Sequence, residues 1–241
     1  MSVLLLDGGN TLVADDSQPL TADSKSAMIV EAMNLMSYDA AVLGDKDLQL
    51  GVDELRKRMD EANFAILSAN VLLVDTGELF AKPYTILDVS GWSIGVIGLT
   101  GSELDPPAAF FISDPFAPIE KILPELSEQT DLIVVLSHLG WAQNKRLADL
   151  APEIDLVVSG GVETPDQEPH KAIATGTYLA QAERPSPGHA GRQIGRWDLD
   201  LGTGDRIATA AWTTVSLGPE FVDDPDMAGL LQRYRDEYES R

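Results

Sequence analysis

Short apolar runs alternate along the chain with stretches whose apolar residues recur at helical spacing, which predicts a layered α/β fold. Residues 3–6 read as a buried strand, ended by the turn-forming cluster Asp7-Gly8-Gly9-Asn10. Residues 21–37 predict a helix with Met28, Ala32, Met33, Leu35 and Met36 largely on one face, the methionines filling core space. A strand over 40–43, a helix over 52–62 and a strand over 65–68 follow. Residues 84–90 and 92–99 flank a glycine turn and predict an antiparallel hairpin. Asp114-Pro115 opens a helix to about residue 127, and 131–137 reads as a strand buried on both faces. A helix over 141–150 and a core strand over 155–159 come next. A β-rich tail over 171–182, 192–201 and 206–216 precedes a last helix running from Asp224-Pro225 to the C-terminus. Its aspartate sits at the N-cap and its proline at the first helical position. Together these elements predict two sheets packed face to face with helices outside, in one domain spanning 1–241.

Composition narrows the function classes. Of 241 residues, 39 are acidic and 17 basic, a formal net charge of −22. Such a field repels phosphate backbones and no basic stripe interrupts it, which argues against a nucleic-acid binder. The acidity reads as solubility or a saline habitat, with cation binding as the other reading. No apolar run approaches the ~20 residues of a membrane span. The opening lacks a basic start and a small-residue cleavage site, so it reads as a strand and not a signal peptide, and the chain as written as cytoplasmic. Without cysteine there is no disulfide, thiolate zinc site or thiol catalysis. No Gly-x-Ser-x-Gly elbow is present. The run Gly188-x-x-Gly191-x-x-x-Gly195 leads into a strand and not a helix, so it reads as a turn and not a phosphate loop.

Several segments, in order and at matching spacing, carry a resemblance. They are Leu4-Leu-Leu-Asp-Gly-Gly-Asn-Thr-Leu12, Glu31-Ala-Met-Asn-Leu-Met-Ser-Tyr-Asp-Ala40 with Leu43-Gly44, and Glu61-Ala-Asn-Phe-Ala-Ile-Leu-Ser-Ala-Asn70. Val134-Val-Leu-Ser-His-Leu-Gly140, Asp155-Leu-Val-Val-Ser-Gly-Gly161 and Gly191-Arg-Gln-Ile-Gly-Arg-Trp-Asp-Leu199 continue them. Over nearly its whole length the chain resembles the N-terminal, calcineurin-like metallophosphoesterase domain of the 5'-nucleotidase (UshA-like) family. The resemblance implies a four-layer αββα sandwich of the metallo-dependent phosphatase type, here lacking the usual first strand and the Asp and His that it carries. It also implies that the helix over 224–241 leads toward a second domain, and that an upstream export signal would be lost with that strand.

In that family two metal ions ~3.5–4 Å apart polarise a phosphate ester and supply a hydroxide nucleophile. By the resemblance, Asn10 stands at the bridging aspartate, and Gly44-Asp45-Lys46-Asp47 at Gly-Asn-His-Glu. Asp45 then replaces a ligand, Lys46 the transition-state histidine, and Gln49 the aspartate orienting that histidine. His138 matches a metal-ligating histidine, and Gly161-Val162-Glu163-Thr164 stands where Gly-His-x-His would be. Asp7 adds a carboxylate beside Asn10. An ammonium ~4 Å from a metal ion costs several kcal/mol unless a carboxylate sits between them. Two pictures follow. In one, Asp45, Asp47 and Glu163 compensate Lys46 in a salt-bridge cluster that replaces the metals, and the domain is a binding or structural module with little or no phosphohydrolase activity. In the other, Asp7, Asp45, His138 and Glu163 rebuild a site for one divalent ion (Mn, Zn or Mg) in an active phosphoesterase acting on a small phosphate substrate. His138 also reads as a buried, hydrogen-bonded core histidine, and His170 and His189 read as exposed polar residues.

Overall fold

The computed structural model describes residues 2–13, 22–161, 163, 169–181, 193–202 and 206–239. In chain order the elements begin with β1 (Leu6–Asp7), α1 (Ala22–Leu35), β2 (Ala40–Val42), a 3-10 turn (Asp47–Leu50), α2 (Val52–Glu61) and β3 (Ala65–Leu67). Then come β4 (Val71–Leu73), β5 (Tyr84–Val89), β6 (Trp92–Leu99), β7 (Phe110–Ile112), α3 (Phe116–Gln129), β8 (Leu132–Ser137) and α4 (Trp141–Leu150). The chain closes with β9 (Leu156–Ser159), β10 (His170–Lys171), β11 (Tyr178–Gln181), β12 (Gln193–Leu201), β13 (Ile207–Ser216) and α5 (Pro225–Glu239).

Two sheets form the middle. One is parallel, ordered β1-β2-β3, and the other runs β10-β11-β9-β8-β6-β5. Inner-face residues Ala40, Val42, Leu67, Val96, Val134 and Leu136 bury one another between the sheets. Val30, Met33 and Leu55 of α1 and α2 cover the outer face of the small sheet, against Ala41 and Ile66. Ile119, Leu123 and Leu126 of α3 and Leu147 of α4 cover the outer face of the large one, against Ile97, Ile133 and Val135. Strand residues therefore alternate between two cores, as period-2 geometry requires, and the result is the predicted four-layer αββα order. The hairpin β12–β13 lays Trp197, Leu199, Leu201 and Ile207 against the inter-sheet core. Helix α5 packs on α1, where Arg233 and Tyr234 bond Glu31.

The structure departs from the sequence reading in identifiable places. The first strand is only Leu6–Asp7, and Val3 is exposed, because its neighbours stand at the edge of the small sheet. On α1 the buried set is Lys25, Ser26, Val30 and Met33, while Leu35 and, just beyond the helix, Met36 are exposed. Val30 and Met33 meet Ala41 of β2, whereas Leu35 lines the groove between α1 and α5. His170, expected to be exposed, lies half-buried in β10 with its Nε2 enclosed. His189, Val162, Thr164, Gly188 and Gly191 lie outside the described residues. Among the described residues no helix is long and apolar enough to cross a membrane.

Candidate functional site

The loops after β1, β2, β8 and β9 leave neighbouring strand tips and meet at one end of the sandwich. Close backbone approach makes this possible. Gly8 lies so near Gly160 that a Cβ on Gly8 would sit 2.7 Å from the Gly160 Cα, and Gly44 has room for no side chain beside Asn10. Gly9 (φ 94) and Asn10 (φ 60) take left-handed conformations that turn the chain back across β2, suiting the two residue types that tolerate them.

Asp47, only 1% exposed, ties the first two loops together. Its Oδ2 accepts from the Asn10 N–H at 2.9 Å and the Gly44 N–H at 2.8 Å, and its Oδ1 from the Leu12 N–H at 2.9 Å. Burial pushes this carboxyl up from its ordinary 3.8 to about 7, against the pull of those donors and helped by the charge of Asp7. Asp7 is also raised by burial, which outweighs the Thr11 hydroxyl (2.6 Å), the Gly9 N–H (2.9 Å) and the charge of His138.

Asn10 spans the loops with its carboxamide. Its Nδ2 donates to Asp45 Oδ1 at 3.1 Å and its Oδ1 accepts the Lys46 N–H at 2.8 Å. Asp45 Oδ2 accepts the N–H groups of Glu103 (2.9 Å) and Leu104 (2.8 Å). His138, buried beyond the end of β8, donates from Nδ1 to the Gly8 carbonyl at 2.7 Å. That bond fixes the tautomer and leaves Nε2 facing Asp45 Oδ1 at 3.9 Å.

Asp7, Asn10, Asp45 and His138 are thus brought together. Lys46 and Gln49 stand at the exposed rim, and Gln49 Nε2 bonds the Asp105 carbonyl at 3.3 Å. Among the described residues the Lys46 ammonium enters no ion pair, so the expected salt-bridge cluster is replaced by carboxylates bonded to main-chain N–H groups and Asn10. Glu163 packs against Gly140 in the loop after β8, its Oε2 accepting the Ala142 N–H (3.0 Å) at the start of α4. Among the described residues no three His, Asp or Glu side chains converge as a metal ion requires. Sequence reasoning gave Asp47 only a compensating charge; its three-way bonding joins residues up to 37 apart, which no local pattern signals.

No family model matches the chain. Over 242 residues it is 31% identical to the 5'-nucleotidase of Vibrio cholerae, covering 85% of this chain and 42% of that protein. The chain is a relative of the 5'-nucleotidases. Protein UshA of Yersinia enterocolitica is 27% identical over the same shares of both chains. The 5'-nucleotidase precursor of Thermus thermophilus superposes with a TM-score of 0.81 at 22% identity, over 100% of this chain and 50% of that one. Calcineurin-like phosphoesterase YfkN from Bacillus subtilis does so at 0.75 and 19% identity, over 98% and 83%. This 5'-nucleotidase-like domain thus has the calcineurin-like phosphoesterase fold, and it spans less than half the length of the curated relatives it matches.

Proposed function

We propose that this is a 5'-nucleotidase-like domain with little or no phosphohydrolase activity, acting as a binding or structural module. The observation that carries the reading is the Asn10 carboxamide. At the position the resemblance gives to a bridging carboxylate, a neutral side chain donates to Asp45 and accepts from Lys46. Two dications held ~4 Å apart need an anionic oxygen between them, which a carboxamide does not supply. With Glu163 bonded to α4 and Lys46 adding a cation at the rim, the residues do not fit a two-ion centre. Their arrangement holds the loops in place.

One observation favours a second reading, an active phosphoesterase with one ion. The His138 Nε2 faces Asp45 Oδ1 at 3.9 Å, with Asp7 close enough to interact electrostatically. Metal analysis of the purified protein, with hydrolysis of an aryl phosphate in added manganese, separates the two. We expect metal well below one ion per chain and no turnover above buffer. Stoichiometric metal together with turnover abolished by His138→Ala would overturn the first reading.

A further inference from the structure

The small antiparallel sheet β4–β7 is apolar on both faces. Val71, Leu73 and Phe110 point into the core under α2, as alternate residues of the strands should. The other face meets solvent, where an antiparallel sheet ordinarily carries polar residues. Leu72 pairs with Phe111 in the ladder and bridges Leu79 on its other side, giving one continuous cross-strand row. Val74 lies on the same face two residues along, with its N–H bonded to the Ala109 carbonyl. Phe111 is 58% exposed, Val74 59% and Leu79 43%. The patch is on the order of 300 Å², the scale at which exposed apolar surface marks a binding site.

Its surroundings select the occupant. Exposed Asp75 and Glu78 lie in the turn between Val74 and Leu79, and exposed Asp114 follows β7. A second copy would bring the same acidic rim and another net charge of −22 against it. A stable pair of folded surfaces also buries about 800 Å² on each side, well beyond this patch. At the outer edge of β7 the Phe110 N–H is already bonded to the Pro107 carbonyl at 2.9 Å, so an occupant lies across the row Phe111–Leu72–Leu79 on the face and does not add as a strand at that edge.

We propose that this face docks an extended segment of a partner protein, with alternate apolar residues over Phe111, Leu72 and Leu79 and lysines or arginines against the acidic rim. The proposal goes beyond the phosphoesterase reading and stands independently of it.

The probe is a short fluorescein-labelled peptide alternating valine and threonine between paired terminal lysines, titrated into the whole chain by fluorescence anisotropy. We expect micromolar binding, weakened about tenfold or more in Leu79→Ser/Phe111→Ser and, separately, in Asp75→Asn/Glu78→Gln. A peptide with glutamates for the lysines should bind about tenfold more weakly or worse. The substituted side chains are exposed, so thermal midpoints should match the parent; if the apolar double variant loses its fold, the charge variant carries the test. Failure of the parent to bind the peptide, or equal binding by parent and both variants, overturns the proposal. So does a parent dimer in sedimentation that Leu79→Ser/Phe111→Ser dissolves, which would make the occupant a second copy.

Discussion

Asp47 holds its carboxyl almost out of water while three main-chain N–H groups point at it. With an ordinary value of 3.8 and a folded value of about 7, the native state keeps a proton that the unfolded chain has already released. Stability from this group is complete below about pH 4 and is lost as the pH rises through 7. The urea midpoint of the parent should therefore fall more steeply between about pH 5 and pH 8 than that of Asp47→Asn, since ionisation elsewhere acts on both alike. At the acidic end the variant should be about 1–3 kcal/mol less stable, because a carboxamide NH2 would oppose an N–H donor. Parallel slopes would mean that the N–H groups keep Asp47 ionised throughout. Much of this site was readable from motifs. Asp7, Asn10, Asp45 and His138 stand at marked positions and do meet. Lys46 misled because its charge is visible in sequence, whereas the competing supply of N–H groups exists only after folding. Glu163 misled for a related reason: its partner, the start of α4, lies 21 residues away.

Among the elements, periodicity served wherever a segment was long and faced one core. The helix over 141–150 and the hairpin at Gly91 have the expected bounds to within a residue. Strands β4 and β7 went unread because, unlike the equally short β2 and β3, they do not alternate with helices, and among the described strands they pair only with each other, across residues 74–109. Exposed Leu35 and Met36 show the converse, since apolarity alone does not tell which residues at the end of a helix meet the sheet. Two glycines test how tightly the elements are set. At Gly160 a Cβ would collide with Gly8 backbone, which no rotamer relieves, so Gly160→Ala should cost about 3 kcal/mol in chemical denaturation. Gly229 lies exposed in α5 with open space around its missing Cβ. Gly229→Ala should therefore stabilise by about 0.5–1 kcal/mol, and an unchanged midpoint would indicate that α5 frays before the domain melts.

For the whole molecule, 39 acidic against 17 basic residues set up a self-repulsion that the layered cores must overcome. Salt screens exposed charges over about 10 Å at 0.1 M, so added sodium chloride should raise the thermal midpoint by about 3 °C for each kcal/mol of repulsion relieved. A midpoint indifferent to salt would show that the charges are already locally balanced. The layers were legible because each strand must serve two faces, which suggests two sheets with helices outside, and the resemblance supplied the four-layer order. The loops at the strand tips have a further consequence. They are laced by bonds between Asp47, Asn10 and Asp45 and the chain's own amides, so their shape is self-supporting. Dialysis against EDTA should leave the near-ultraviolet dichroism and the melting curve superimposable on those of untreated protein, whereas a domain braced by ions would soften on chelation.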